Sequence, residues 1–397
     1  MSTKKLYYTD PYTTEFSGEN YILTEFQNHP ALILPETYFY PTSGGQERDF
    51  GSINDCQVID VVESSGEIFH VLDKPLNEKK FTARIDRNRR FLNMQQHTGQ
   101  HLLSRVFEDL FNLDTISSRL GENGNTIDLN LTQFSDDMQN QAESYVNEII
   151  WKCKPVRVHF ADEQQLDQFP LRSKPKVSGT VRIIEIENYD FNACGGTHCT
   201  NTGEVGLIKI TGTEKIKGNL IRINFVCGGK ALLDYRNRVI TTNLLTTKIS
   251  ASGLEIVDQV DRLISENKNY QKKVSALNQQ ILLQESEQLA SASKAEKNIN
   301  IITKIYSGLS ADDIRFIASR LSEKPNTISL LVSQTERMSF CFSRSSDVKL
   351  DFKLLLPELL RISNGKGGGK PEFIQFSSDL NVNPDELISF VQSNLNG

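Results

Sequence analysis

The most informative stretch of this 397-residue chain is His97-Thr98-Gly99-Gln100-His101-Leu102-Leu103-Ser104-Arg105-Val106-Phe107. Its apolar residues recur at the spacing of an amphipathic helix, which predicts a helix over residues 91–112. His97 and His101 are four residues apart, so a helix places both imidazoles on one face, about one turn apart. The sequence therefore predicts a helix that presents two metal-binding side chains together.

A second pair with the same spacing lies in Cys194-Gly195-Gly196-Thr197-His198. Its glycines and threonine indicate a tight loop, which can aim a thiolate and an imidazole at one centre. One cysteine and three histidines form a borderline-soft ligand set that suits tetrahedral Zn²⁺. The alternative is unrelated core histidines and a buried thiol. We favour the metal because each pair alone is weak and the two together are specific.

Residues 1–88 contain several short, β-rich segments separated by turn residues. This pattern predicts strands, and a small β-barrel is the economical arrangement for so many of them. His70 falls in one of these strands, far in sequence from the paired histidines, and we interpret it as structural. The predicted strands are residues 21–24, 31–34, 57–62 and 67–72.

Residues 89–228 mix helical and strand patterns and hold both metal pairs, so they form the predicted zinc-binding domain. Ser135 is the predicted N-cap of a second helix, which runs to Trp151. The predicted strands cover residues 126–131, 156–160, 181–186, 205–210 and 219–227.

A helical segment is predicted over residues 229–298, with a break at Ser250-Ala251-Ser252-Gly253 because serine and glycine are poor in a helix interior. Beyond the break, residues at alternating spacings of four and three predict a coiled-coil seam, which pairs either within the chain or between two chains. Asn267 is polar at a core position and can fix the register. The seam consists of Ile256, Val260, Leu263, Asn267, Tyr270, Val274, Leu277 and Ile281.

Residues 299–397 alternate strand and helix patterns and predict a small α/β domain. Strands are expected at 299–305, 327–333 and 338–342. Ser310 is the predicted cap of a helix that runs to Ser322, a second helix covers 352–362, and a third begins at Asn383-Pro384. The whole chain is therefore predicted to be an α+β multidomain protein.

Composition and charge limit the class of protein. The chain is 38% hydrophobic and 24% charged, with a net charge of −6, which is typical of a soluble globular protein. It has no membrane-length apolar run and no signal segment at its start, and its six cysteines are scattered, so we expect no membrane contact and a cytoplasmic location.

Positive charge is concentrated around the metal pairs. Residues 151–238 hold 14 Lys/Arg against 9 Asp/Glu, a local charge of +5 in an acidic protein. Such flanks suit a polyanionic substrate, although an ordinary solvated face is the commoner outcome for any single run. The clusters comprise Lys152, Lys154, Arg157, Arg172, Lys174, Lys176, then Lys215, Lys217 and Arg222, with Arg84, Arg87, Arg89 and Arg90 before the first pair.

Two further glycine-rich stretches are weak as isolated patterns, and each is expected by default to be a flexible loop: Ser43-Gly44-Gly45-Gln46 and Gly365-Lys366-Gly367-Gly368-Gly369-Lys370. Taken in order with the two metal pairs, they resemble alanyl-tRNA synthetase from its editing half onward. The chain is most similar to the AlaX-type alanyl-tRNA editing proteins, in the long form that keeps the C-terminal domain. The resemblance covers nearly the whole chain.

The resemblance implies hydrolysis of tRNA(Ala) mischarged with serine or glycine at a zinc site. It implies that His97, His101, Cys194 and His198 are the zinc ligands and that Ser43, Gly44, Gly45 and Gln46 border the substrate pocket. Thr115, Ser117 and Ser118 lie where family members place hydroxyl groups near the amino acid; a polar turn after the helix is the alternative. The C-terminal domain is expected to hold tRNA through Gly365, Lys366, Gly367, Gly368, Gly369 and Lys370. A homodimer that pairs through the coiled coil or that domain is one of the two open arrangements.

The sequence leaves open the catalytic residues, the choice between a hydrolase and a binding module, and the preference between serine and glycine. No glutamate in either metal pair resembles the general base of zinc proteases, so the catalytic residues are unknown. A non-catalytic zinc-containing tRNA-binding module would share the same motifs. A complete synthetase would need an ATP-binding aminoacylation core, which this length and layout do not supply. Serine and glycine cannot be ranked.

Overall fold

The computed structural model describes residues 2–121, 124–172, 179–293, 295–296 and 298–396. Helices and several separate sheets alternate along the chain, which confirms the α+β multidomain prediction. The chain divides into two compact units, Met1–Leu245 and Thr246–Gly397. No helix in the described residues is long and apolar enough to cross a membrane.

The first unit begins with a seven-stranded sheet in the order β2-β9-β6-β7-β8-β4-β3, in which all neighbours are antiparallel. The four predicted strands overlap β3, β4, β7 and β8. The sheet buries a core that includes Leu32, Phe39 and Val61. Closure of this sheet into a barrel stays a prediction. The strands are β1 Lys4–Lys5, β2 Glu15–Gly18, β3 Ile22–Phe26, β4 His29–Ile33, β5 Glu36–Thr37, β6 Gly51–Ile53, β7 Cys56–Ser64, β8 Glu67–Leu72 and β9 Phe81–Ile85.

Helix α1, Arg87–Phe111, follows this sheet and carries the first histidine pair. Asp86 caps it by accepting from the Arg89 N–H, and Asn112 ends it in the left-handed conformation, with φ at 55°. Arg90 ties the helix to the sheet. It is buried and pairs with the buried Asp49 carboxylate, and it also donates to the carbonyl of Tyr38.

A four-stranded sheet in the order β10-β11-β16-β15 packs against α1 and against helix α2, Asp136–Trp151. The predicted cap Ser135 does accept from the Met138 N–H. The strand expected at 205–210 starts only at Ile208, because residues 202–205 form a 3₁₀ turn capped by Asn201. A three-stranded sheet, β12-β13-β14, leads into the cysteine loop. The strands are β10 Thr115–Gly121, β11 Gly124–Asn130, β12 Val156–Ala161, β13 Val181–Ile186, β14 Asp190–Ala193, β15 Ile208–Lys215 and β16 Leu220–Cys227.

Two long helices follow, α3 (Gly228–Ile249) and α4 (Glu255–Ala292). The predicted break between them is confirmed, since Ser250 and Gly253 have φ values of 55° and 56°. Most of the predicted seam of α4 is exposed in the single chain, for example Val274 at 66% and Ile281 at 62%. The coiled coil itself stays a prediction.

The second unit is built on a six-stranded sheet in the order β17-β18-β19-β20-β22-β21, in which only β18 and β19 are parallel. Ser310 caps α5 through a capping box with Asp313, and Asn383 caps α7 with Pro384 at its start, as predicted. The elements are β17 Ala295–Glu296, β18 Ile299–Ser307, α5 Ala311–Ser322, β19 Thr327–Gln334, β20 Met338–Arg344, α6 Phe352–Ser363, β21 Lys366–Lys370, β22 Phe373–Ser378 and α7 Pro384–Ser393.

The glycine-rich segment of this unit was expected to be a loop, and that expectation was wrong. Lys366–Lys370 is the edge strand β21, antiparallel to β22. Glycine permits the close pairing, because a Cβ on Gly367 would lie 2.3 Å from the carbonyl oxygen of Gln375. Both lysines of the segment are exposed.

Candidate metal centre

The two metal pairs converge. His97 and His101 project from one face of α1, and Cys194 and His198 come from the loop after β14. One potential ligand atom from each of the four residues lies within 4.8 Å of the other three. The ring centroids of His97 and His198 are 4.3 Å apart, and those of His101 and His198 are 4.6 Å apart.

The donor set and its burial fit a divalent transition metal. Cys194 Sγ is 3.4 Å from Nε2 of His97 and 3.2 Å from Nε2 of His198. Burial lowers the pKa of His97 to about 3, which keeps this imidazole neutral and able to donate a lone pair. Burial also raises the pKa of the Cys194 thiol, so a bound cation would have to supply the charge that stabilises the thiolate.

Gln46 orients His97 from the N-terminal sheet region. Its Oε1 accepts from Nδ1 of His97 at 2.7 Å and from the backbone N–H of Thr197 at 3.1 Å, while its Nε2 donates to Oγ1 of Thr197 at 2.8 Å. The proton of His97 is therefore on Nδ1, and its Nε2 is left for a ligand.

His198, the histidine of the cysteine loop, lies against Thr98 of α1. Nδ1 of His198 is 3.4 Å from Oγ1 of Thr98, which in turn accepts from the backbone N–H of Cys199 at 3.0 Å. The Cys199 thiol is fully buried, and it is not one of the four clustered groups.

Arg182 and Gly196 shape the cysteine loop. The Nη1 group of Arg182 donates to the carbonyls of Cys194 and Gly196, both at 2.8 Å, and its Nε donates to the carbonyl of Tyr8 at 3.1 Å. A Cβ on Gly196 would lie 2.0 Å from Cε1 of His97. The loop can therefore approach α1 only with glycine at that position.

A cleft of about 450 Å³ opens beside the four clustered groups. It brings together three of the predicted sets: the metal pairs, Gly44 of the first glycine-rich stretch, and the hydroxyl residues of β10. The predicted tRNA segment Gly365–Lys370 lies in the second unit. The cleft is lined by Gly44, His97, Gln100, His101, Ser104, Glu108, Asp114, Thr115, Ile116, Ser117, Ser118, Arg172, Asn192, Ala193 and Cys194.

The turn at Ser43–Gln46 reaches the cleft by pairing with β10. The backbone N–H of Leu120 donates to the carbonyl of Gly45 at 2.9 Å, and the N–H groups of Ser43 and Gln46 each donate to the other residue's carbonyl. Gly45 has a φ of +82°, and a Cβ there would lie 3.2 Å from the Ser118 carbonyl oxygen. Glycine is thus required where the turn contacts the strand.

The hydroxyl groups of the cleft have defined polarity. Ser104 Oγ accepts from Nε2 of Gln100 at 2.8 Å and from Oγ1 of Thr115 at 2.7 Å, so its own hydrogen is directed elsewhere. Ser117 Oγ donates to Asp128 at 2.6 Å, and Asp128 is held by Arg222 at 2.8 Å. Ser104 is therefore available as a donor and Ser117 as an acceptor.

Sequence reasoning overlooked Ser104, Asp128 and the buried Asp190. Only Ser104 has a local signal, since it lies three residues after His101 on the ligand face of the helix. Asp190 stands four residues before Cys194, and its Oδ2 is 4.0 Å from Nδ1 of His101.

Much of the predicted positive charge around the site is paired. Arg90 is buried against Asp49, and Arg89 pairs with Glu47 at 3.0 Å while stacking over Phe50. Arg222 is held by Asp128 and Arg157 by Glu187, whereas Arg172 lines the cleft. Lys174 and Lys176 lie outside the described residues. The basic flanks are thus partly structural.

Two family models match separate parts of the chain. Residues 181–224, which include the cysteine pair, match the model for the threonyl and alanyl tRNA synthetase second additional domain. Residues 298–397 match the DHHA1 domain. The chain is thus similar to a synthetase accessory domain over residues 181–224 and to a DHHA1 domain over residues 298–397.

Individual relatives sharpen this class. The chain is 28% identical to the alanyl-tRNA editing protein AlaX-L of Pyrococcus horikoshii over 97% of this chain and 96% of that one. It is 34% identical to the alanyl-tRNA editing protein Aarsd1 of Bos taurus over 66% of this chain and 59% of that one. The alanine–tRNA ligase of Sulfurisphaera tokodaii is 28% identical over 99% of this chain, which spans 44% of the ligase. The predicted resemblance to the long-form AlaX-type editing proteins is confirmed.

Proposed function

We propose that this chain is a trans-editing aminoacyl-tRNA hydrolase, which removes serine or glycine from mischarged tRNA(Ala) at a zinc site. The observation that carries the proposal is the cleft in which three of the four clustered groups, His97, His101 and Cys194, meet Gly44 and the hydroxyl residues of β10. The near full-length similarity to AlaX-L, named as an alanyl-tRNA editing protein, supports it.

The zinc ligands in this proposal are His97, His101, Cys194 and His198. Their N₃S donor set, their burial and the hydrogen bond from His97 to Gln46 support this assignment. When bound, zinc would supply Lewis acidity, activation of water or orientation of the ester. Four protein ligands fill a tetrahedral shell, which is usual for structural zinc. No glutamate in either metal pair resembles the general base of zinc proteases, so we assign no general base.

We propose that the cleft recognises a hydroxyl group of the substrate. A serine side chain can donate to Ser117 and accept from Ser104, whereas alanine and glycine can do neither. A site that hydrogen-bonds a hydroxyl discriminates better than an apolar pocket, which separates such neighbours by only about 1–3 kcal/mol. The polarity of the cleft therefore favours serine as the amino acid removed.

The remaining parts of the chain are proposed to serve tRNA binding. We divide it into a barrel-like domain (1–88), a zinc-binding editing domain (89–228), a coiled-coil segment (229–298) and a tRNA-binding α/β domain (299–397). The exposed lysines of β21 support contact with phosphates. Replacing Lys366 and Lys370 with Glu should weaken tRNA binding and leave hydrolysis at saturating tRNA unchanged; Lys324→Glu is the matched control.

Two copies of the chain are proposed to pair through α4. Its seam residues Leu263, Tyr270 and Leu277 are each more than half exposed in the single chain, which is costly unless a partner covers them. The polar Asn267 at a core position suits register selection in a paired helix.

A zinc-containing tRNA-binding module without catalysis is the alternative. It would share the metal centre and the exposed lysines, but it would leave the ester bond intact. The polarised hydroxyl groups in the cleft favour the hydrolase, because a module that only binds tRNA has no need of them.

The experiment that tests the proposal is incubation of the full chain with Ser-tRNA(Ala), Gly-tRNA(Ala) and Ala-tRNA(Ala), followed by measurement of ester loss. We expect hydrolysis of Ser-tRNA(Ala) fastest and Ala-tRNA(Ala) slowest, with activity removed by a chelator and restored by zinc. Tight tRNA binding without ester loss would establish the alternative.

A further inference from the structure

Asp190 is a buried carboxylate whose ion pair with Arg172 is long, at 3.8 Å. It opens β14, four residues before Cys194, and is 2% exposed. Neither of its oxygens has a side-chain partner within hydrogen-bond distance in the part of the chain that the structure describes. Burial of a carboxylate with so distant a partner is expensive. A group retained at such a cost calls for a functional explanation.

The nearest groups identify what that carboxylate can serve. Nδ1 of His101 lies 4.0 Å from Oδ2 of Asp190, and this nitrogen is likewise buried without a partner among the described residues. Nε of Arg172 lies 3.8 Å from Oδ1 on the cleft side. The Asp190 carboxylate therefore stands between a proposed zinc ligand and the wall of the cleft.

The other two histidines show what His101 lacks. His97 donates from Nδ1 to Gln46, and Nδ1 of His198 lies beside Thr98, so in both rings Nε2 is the atom that faces Cys194. His101 alone has no contact of this kind within hydrogen-bond range. The carboxylate of Asp190 lies 4.0 Å from this nitrogen.

We propose that Asp190 is a positioning residue of the metal centre: its carboxylate accepts the Nδ1–H of His101 and holds Nε2 towards the metal. The inference rests on the proposed zinc binding. The present separation exceeds a hydrogen bond by about 1 Å. On this proposal the carboxylate and the ring therefore approach each other when zinc is bound. The carboxylate also balances the charge of Zn²⁺ with one thiolate and three neutral imidazoles, which sums to about +1.

The test is competition for zinc between a chromophoric chelator and the full chain, its variants Asp190→Ala and Asp190→Asn, and the control Glu108→Gln. Asp190→Ala should bind zinc about 10–100-fold more weakly, the usual effect of losing such a partner. Asp190→Asn should lose less, because its amide oxygen still accepts. Glu108→Gln removes a carboxylate from the same cleft that pairs with Arg105, and it should retain the parent affinity.

A second measurement separates positioning from general support of the fold. The metal-free Asp190→Asn variant should resist denaturant about as well as the parent, because the amide has the same size and gives up only the long ion pair with Arg172. The Co²⁺-loaded variants should show an altered d–d absorption envelope, which reports ligand geometry. Loss of stability in step with zinc affinity would instead indicate a merely structural role and overturn the proposal.

The remaining outcomes are also decisive. Parent zinc affinity in both variants would overturn the inference and leave the proposed function intact. Lowered kcat at unchanged zinc affinity would overturn it too, and would place Asp190 in the reaction itself. A parent chain that binds no zinc would defeat the proposed function and this inference together.

Discussion

Helices α1 and α4 have similar amphipathic sequences and opposite environments. In α1, 14 of 25 residues are buried, and polar residues are among them. In α4, two of 38 residues are buried, Leu282 and Ser286, and the apolar seam faces outward in the single chain. The apolar pattern predicted both helices correctly, but it did not predict how much of each would be covered.

The difference lies in the polar residues of the apolar face. Two of the three buried glutamines of α1 have a partner on another element: Gln95 donates to the carbonyl of Glu204, and Gln96 donates to the carbonyl of Cys227. The third, Gln100, donates to Ser104 of the same helix. The seam of α4 is aliphatic except for Tyr270 and Asn267. A helix face that mixes buried polar groups with apolar ones therefore packs against neighbouring elements of its own chain. A largely apolar seam is available to a second helix.

The largest expected effect concerns the cysteine loop, which faces the two histidines of α1. Replacing Cys194 with Ala removes the thiolate of the proposed centre, and we expect zinc content and Ser-tRNA(Ala) hydrolysis to fall by at least about 100-fold. Metal analysis and single-turnover deacylation measure this. Cys153→Ala, which removes an exposed cysteine, is the matched control and should change neither. Full zinc occupancy in Cys194→Ala would reject the ligand set.

A smaller effect is expected from the helix backbone between the histidines. A Cβ on Gly99 would lie 2.4 Å from Sγ of Cys227 and 3.3 Å from side-chain atoms of Val205 and Ile208. Gly99→Ala should lower the free energy of unfolding by about 1–3 kcal/mol despite its better helix propensity. Denaturant titration measures this, with Gly212→Ala as control because its Cβ would meet nothing within 4 Å. Equal stability of both variants would show that α1 can move away from β16.

The seam of α4 tests the opposite side of the comparison. Leu277→Lys and Ile281→Lys place charge at exposed apolar positions, so chain folding should change little. Self-association should weaken by about tenfold or more, because each charge would be buried against a partner helix. Light scattering across a dilution series measures this, and Gln279→Lys, off the seam, is the control. A parent chain that is monomeric at every concentration would contradict the pairing.

The smallest effect concerns selectivity. Ser117→Ala removes the acceptor held by Asp128, and we expect the ratio of Ser-tRNA(Ala) to Ala-tRNA(Ala) deacylation rates to fall by about tenfold or less. Thr115→Val and Ser118→Ala, measured in the same way, show whether the neighbouring hydroxyls share this role. An unchanged ratio in all three variants would direct attention to the turn at Ser43–Gln46.

Local chemistry was readable in the sequence, and distant pairing was not. The caps at Ser135, Ser310 and Asn383 and the break near Gly253 each depend on a few consecutive residues, and all are present in the structure. The edge strand β21 depends on its pairing with β22, which no periodicity in a glycine run can indicate.

The same limit applies to the candidate site. The equal spacing of the two metal pairs predicted that they would cluster, and the structure brings all four groups together. It could not indicate that Gln46 hydrogen-bonds His97 across 51 positions, or that Asp190 faces His101. Nor could it indicate that Arg90 forms a buried ion pair with Asp49. The sequence therefore predicted more positive charge near the site than is available to a substrate.

The hydrogen bond between Gln46 and His97 has a kinetic consequence. The turn that carries Gln46 is attached to β10 through Gly45 and to the cysteine loop through Thr197, so it spans three segments around the metal pairs. A metal ion bound through His97 is expected to be retained more firmly while those segments stay paired. Its exchange with solution would then follow local unfolding of the turn, and amide hydrogen exchange at Gln46 and Leu120 would proceed at the same pace as metal release.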